Sequence, residues 1–173
     1  MKYIFSVLGA FYLLASVAYA ETQSAEKVIS QAKAKASAEQ KAIFVHFGAS
    51  WCGWCIRLDA FLERSDIRPA FEKYFLPVKL VVQEDEKNKG LENPGADALL
   101  KKLGGPAGLP YSAFLDAKGG LIVNSKLRGE NIGYPAQPEE IEHFIQMMKQ
   151  AAPKMSESDL KTIETVLKNF KKP

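Results

Sequence analysis

An α/β domain is predicted, and three observations predict it. Helical and strand-like periodicities alternate along the chain, two short apolar runs have no polar face, and a further pair of runs flanks Lys118-Gly119-Gly120. Runs without a polar face suit strands covered on both sides, which are usually central and parallel. A short connection containing glycine makes an antiparallel hairpin. The expected sheet is therefore mixed in sense. At 173 residues the chain is one ordinary domain and can bury a core without covalent staples.

Met1–Ala20 reads as a secretory leader. Lys2 supplies the charged start, Ile4–Ala15 the apolar run, and Ala18-Tyr19-Ala20 a small-x-small cleavage site. An uncleaved anchor competes, since about 20 apolar residues span a bilayer; the Ala-x-Ala ending favours cleavage and a periplasmic or secreted product. Losing Lys2 lowers the formal net charge from +3 to +2, too little to favour nucleic acid or an acidic surface. The expected division is a leader over 1–20, a domain over 21–152 and a helical extension over 153–173.

Ala25, Val28, Ile29 and Ala32 then recur at helical spacing behind Ser24, a cap residue. Ala42–Phe47 is the first faceless strand. A second helix opens at Cys52 and continues through Leu58, Phe61 and Leu62. Ile67, Ala70, Phe71 and Tyr74 form a third behind Ser65-Asp66, with Pro69 in its first turn. Val78–Val82 is the second strand, expected to be central. Glu84–Lys89 mixes charges and reads as a solvated loop, with partner docking as the alternative. Ala96, Leu99, Leu100 and Leu103 make a short helix stopped by Gly104-Gly105. Tyr111–Leu115 and Leu121–Val123 are the hairpin strands. Ile141, Phe144, Ile145 and Met148 draw the clearest amphipathic stripe, with His143 assigned to the surface. Beyond Pro153, Ser156 and Asp159 cap a last helix bearing Leu160, Ile163 and Leu167.

Both cysteines of the chain lie in Trp51-Cys52-Gly53-Trp54-Cys55. Positions i and i+3 share a helical face and suit the geometry of a disulfide. At a helix start, free backbone N–H groups and the positive end of the dipole favour a thiolate at Cys52, the attacking species in exchange. Cys55, one turn further in, would resolve the mixed disulfide. A structural staple is the first competing reading, but closing a four-residue loop stabilises by only about 2 kcal/mol, against about 4.7 for 100 residues. Zinc wants four ligands, and only His46 and His143 stand beside the cysteines. Haem attachment needs histidine where Ile56 stands. No metal or cofactor is expected.

Strand Ala42–Phe47, then Gly48-Ala49-Ser50-Trp51-Cys52-Gly53-Trp54-Cys55, and later Gly108-Leu109-Pro110-Tyr111 before a hairpin resemble the thioredoxin superfamily, especially its exported members. The likeness covers about Glu26–Ala152. It implies a three-layer sandwich, a central mixed sheet between helices, with an extra C-terminal helix here. It also implies that Pro110 is cis and faces the disulfide, although a trans strand-entry proline is the plain alternative. A free Leu109 backbone would then pair with an extended substrate. Trp51, Gly53, Trp54, Leu109 and Pro110 form the expected substrate surface, with packing as the other role for Trp54. Family members commonly carry an acid six residues before the nucleophile, where this chain has His46. Histidine there can relay the proton of Cys55 or be a core residue without a catalytic part.

The activity implied is thiol-disulfide exchange. Reported thiol pKa values of about 7 in thioredoxin and about 3.5 in a strong oxidant correspond to about 5 kcal/mol of thiolate stabilisation. Gly53-Trp54 supplies no cation between the cysteines, and Arg57 lies past them. Reduction or reshuffling of disulfides in exported proteins is therefore expected, with electrons from a membrane-bound donor. A net oxidase and a non-catalytic peptide clamp are the alternatives.

Overall fold

Along β1 (Ala42–Gly48) the side chains alternate: Phe44 and His46 face one way, Ile43, Val45 and Phe47 the other, and all five are buried. Helices must cover both sides, and they do. The computed structural model describes residues 22–105 and 108–169, so the leader expected over 1–20 lies outside it. The chain runs α1 (Ala25–Glu39), β1, α2 (Gly53–Leu62), α3 (Arg68–Glu72) and β2 (Phe75–Val81). A 3-10 turn over Glu86–Leu91 follows, then α4 (Ala96–Lys102), β3 (Tyr111–Leu115) and β4 (Leu121–Asn124). Two short strands, β5 (Lys126–Leu127) and β6 (Glu130–Asn131), precede α5 (Pro138–Ala151) and α6 (Glu157–Asn169).

The main sheet has the order β2-β1-β3-β4, with β1 parallel to β2 and antiparallel to β3. It is mixed, as expected. The second strand is nevertheless an edge and not a central strand. Pro77 lies inside it and Lys79 is exposed, both of which suit an edge, where a missing N–H breaks no ladder and a charge discourages further pairing.

One face of the sheet carries Phe44, Phe75 and Phe114, packed against Phe71 and Phe144, with ring centroids 4.7 to 6.3 Å apart. Helices α2, α3, α5 and α6 close this side, and Leu160, Ile163 and Leu167 of α6 belong to the same cluster. On the opposite face, Val45, Phe47, Leu80 and Tyr111 meet the small residues Ala25, Ala32 and Ala36 of α1 and Leu100 of α4.

Local caps agree with the sequence at two helices and differ at a third. Ser24 Oγ accepts from Lys27 N (3.3 Å), and Ser156 Oγ accepts from Asp159 N (3.2 Å). Helix α3 begins later than expected, with Ile67 at its cap, because Asp66 is engaged by Arg64 (2.8 and 2.7 Å). His143 is half-buried, with Nε2 enclosed, rather than fully on the surface. Among the described residues no helix is long and apolar enough to cross a membrane.

Candidate active site

Strand β1 ends in the interior, and the chain must turn at once to start α2. Gly48 permits this, since a Cβ there would lie 3.0 Å from Cys55 Cβ and 3.2 Å from its Sγ. Cys52 occupies the cap position of α2 rather than its first turn, and its Sγ accepts a hydrogen bond from Cys55 N (3.1 Å). The two cysteines form a disulfide with their Cα atoms 5.2 Å apart. The sulfur of Cys52 thus already sits among the unpaired N–H groups of a helix start, where negative charge is favoured.

Two loops frame the pair. On one flank, Ser50 donates from N (2.6 Å) and Oγ (2.7 Å) to the Glu84 carboxylate, and the Trp51 indole donates to Gln83 O (2.8 Å). Glu84 is buried, against the reading of Glu84–Lys89 as wholly solvated, and its own N–H donates to Glu92 Oε1 (2.8 Å). Trp51 itself is 57 % exposed. Beyond it, Gly53 has open space where a Cβ would stand, so nothing crowds the approach to Cys52 from that side.

On the other flank the Leu109–Pro110 bond is cis, and Leu109 packs against the cluster of Ala49, Cys52 and Cys55. Asn131 fixes this loop from below. Its Nδ2 donates to Gly108 O (3.0 Å) and Pro110 O (2.9 Å), while its Oδ1 accepts from Ser125 Oγ (2.8 Å) and Gly133 N (3.2 Å). Fully buried Ser125 in turn accepts from Ser112 N (3.0 Å), which ties the loop into β3. A groove of about 410 Å³ opens between Trp54, Leu109, Asn131 and Tyr134. Trp54 stacks on Tyr134 (5.8 Å, 18°), and the Arg57 guanidinium lies 5.7 Å from the first ring and 5.2 Å from the second.

His46 lies below the pair, on the face of β1 that also carries Gly48. Across the register it meets Lys79 of β2 and Ser112 of β3. Burial pulls its pKa down to about 4; the Asp59 carboxylate opposes this and the Lys79 ammonium adds to it. At neutral pH the imidazole is therefore uncharged. Its Nδ1 stands 3.7 Å from Asp59 Oδ1, and Lys79 Nζ donates to Asp59 Oδ2 (2.5 Å). A cleft of about 240 Å³ runs past these three groups.

The structure thus gathers Trp51, Cys52, Gly53, Trp54, Cys55, Leu109 and Pro110 at one end of the sheet and sets His46 beneath them. Glu84, Asn131, Ser125 and Tyr134 were not singled out by the sequence. Isolated polar residues in short connecting segments carry no periodic signal, and partners of Glu84, Asn131 and Ser125 lie 34, 23 and 13 residues away.

This is the architecture of a thioredoxin fold with a cysteine pair at the first helix after the central strand. A thioredoxin-like family model matches residues 24–117, more than half the chain, and the chain belongs to that family. Among solved structures, the disulphide isomerase from Xylella fastidiosa Temecula1 is similar, with a TM-score of 0.52 and 21% identity over 90% of this chain and 98% of that one. The oxidised C-terminal domain of Neisseria meningitidis DsbD is also similar, with a TM-score of 0.46 and 19% identity over 76% of this chain and 99% of that one. At such identities the likeness is one of fold. No curated protein matches the chain.

Proposed function

We propose that the chain is an exported thiol-disulfide oxidoreductase that reduces or isomerises disulfides in extracytoplasmic proteins. The observation that carries this reading is the Cys52–Cys55 disulfide at the start of α2, packed against the cis-Pro110 loop beside an open groove. The fold shared with a disulphide isomerase agrees with it. Export rests on the leader motif over Met1–Ala20.

In the dithiol form, the Cys52 thiolate attacks one sulfur of a client disulfide. The client S–S bond breaks, a Cys52–client bond forms, and the other client sulfur leaves as thiolate. Cys55 then sheds its proton and attacks Cys52 Sγ, releasing the second client sulfur. Two electrons have passed to the client, and the pair is left as a disulfide. A dithiol donor at the membrane must return them, because the sequence has no flavin or nicotinamide motif. His46 borders the cleft that also holds Asp59, a path for the Cys55 proton, but a pKa of about 4 makes the imidazole a weak acceptor of it.

Removing the resolving sulfur tests the reading. Cys55→Ala, expressed in the source organism, should accumulate mixed disulfides through Cys52. The captured proteins should be exported ones, together with a membrane donor. If no Cys52-dependent adduct forms, or a Cys52→Ser, Cys55→Ser double variant still restores function to a deletion strain, the exchange reading is wrong.

A further inference from the structure

Glu84 is among the few charged side chains buried in the described part of the chain, and the exchange steps do not use it. A buried carboxylate persists only where hydrogen bonds replace water. Here both come from Ser50, at 2.6 Å from N and 2.7 Å from Oγ, with Asn88 Nδ2 at 3.4 Å from the same hydroxyl. No cation among the described residues answers the charge. The nearby Lys89 is engaged by Glu92 (3.0 Å), and no ion pair to Glu84 forms among the described residues.

Ser50 is two residues from Cys52, so the carboxylate lies within roughly 10 Å of the Cys52 backbone. The other charged or titratable groups around the pair are His46 on β1, Arg57 and Asp59 on α2, Lys79 on β2, and Glu92 behind Glu84. Arg57 is turned toward Trp54 and Tyr134, and Lys79 and Asp59 hold each other. A serine at position 50 would cap and orient the turn with a neutral partner equally well. A carboxylate adds something a neutral partner cannot, a fixed negative charge opposite the helix start that favours a thiolate.

We propose that Glu84 is a positioning residue that also sets the direction of electron flow. Held against Ser50, its charge disfavours the Cys52 thiolate and keeps the pair on the reducing side. The inference rests on the reading of Cys52 as the attacking sulfur. Its logic is a two-electron balance: protein dithiol and glutathione disulfide give protein disulfide and two glutathione thiols. A less stable thiolate raises the energy of the dithiol side, so the protein donates more readily.

The test is Glu84→Gln in the full chain, whose amide can still accept from Ser50 N. The Cys52 pKa, followed by thiolate absorbance or by the pH dependence of alkylation, should fall by about half to one unit. The equilibrium constant with glutathione should move toward the dithiol by about three- to tenfold, one unit being tenfold. Glu84→Asp should restore both values. Ser50→Ala, which loosens the turn but keeps the charge, should leave the pKa where it was. An unchanged pKa in folded Glu84→Gln overturns the proposal, as does an equal fall in Ser50→Ala. Glu84→Met serves if the glutamine chain does not fold; if neither neutral variant folds, Glu84 is a structural residue and the proposal fails. A wild-type Cys52 inert to alkylation defeats the exchange reading itself, whereas a reactive Cys52 indifferent to Glu84 defeats only this inference.

Discussion

The two loops that frame the disulfide are fixed by different chemistry. On the Trp51 side a buried carboxylate grips Ser50; on the Pro110 side a neutral amide, Asn131, grips two backbone carbonyls. Both solve the same local problem, since a loop beside the disulfide must be rigid yet has no ladder to hold it. Only one of them places a net charge there. The neutral clamp can govern where a client lies without touching the sulfur's affinity for a proton, and the charged clamp governs both. Position and reactivity should therefore separate experimentally across the two flanks.

The largest effect is expected on the neutral flank. Asn131→Ala removes four hydrogen bonds, to Gly108 O, Pro110 O, Ser125 Oγ and Gly133 N. At roughly 1 kcal/mol for each, stability should drop by about 4 kcal/mol, measurable as a lower urea midpoint. KM for a disulfide-bonded protein should rise because the Leu109 backbone is no longer held, while the Cys52 pKa stays at its wild-type value. A shift in that pKa as large as the one sought in Glu84→Gln would erase the distinction between the flanks.

Much of this frame was legible in the sequence, and the illegible parts share a cause. The cysteine pair, the helix it opens and Pro110 at a strand entry are local patterns, each confined to a few consecutive residues. The alternation of elements gave the layers for the same reason. Glu84 was hidden inside a run of mixed charge that reads as solvated, because nothing in the run says that Ser50, 34 positions earlier, will meet it. Asn131 and Ser125 lie in a segment too short and polar to register as strands, and their partners are 23 and 13 residues away. Placing Val78–Val82 at the centre of the sheet followed from its apolar content; Pro77 and Lys79 were the better guides to an edge.

His46, under both flanks, sharpens the comparison through pH. Its folded pKa is about 4, below the ordinary value of 6.5, because burial excludes the charged form. The unfolded chain therefore binds a proton that the folded chain refuses. Stability should be unaffected above about pH 6.5 and fall progressively as the pH drops from there to about 4. A shift of that size corresponds to a loss of about 3 kcal/mol. His46→Leu should flatten the curve of unfolding free energy over that window, and exchange rates near neutrality should show whether the imidazole also serves Cys55. An undiminished slope in His46→Leu would assign the acid sensitivity to other groups.

The smallest effect belongs to Trp51, the exposed end of the charged flank. Its indole donates one hydrogen bond to Gln83 O (2.8 Å), and the residue is 57 % exposed. Trp51→Phe keeps an aromatic surface beside Cys52 but drops that bond, so the stability cost should be about 0.5–1.5 kcal/mol. Gln83 sits at φ 55°, a left-handed conformation uncommon for a residue with a side chain, and the indole is one of the groups that holds it there. If Gln83 relaxes when the bond is lost, Glu84 follows it and its charge moves away from the helix start. The Cys52 pKa in Trp51→Phe should then fall by a fraction of the shift seen in Glu84→Gln, a change that alkylation rates over a pH series would resolve. No change at all would mean that Ser50 and Glu84 hold each other without help from the tryptophan, and the charged flank would reduce to that one contact.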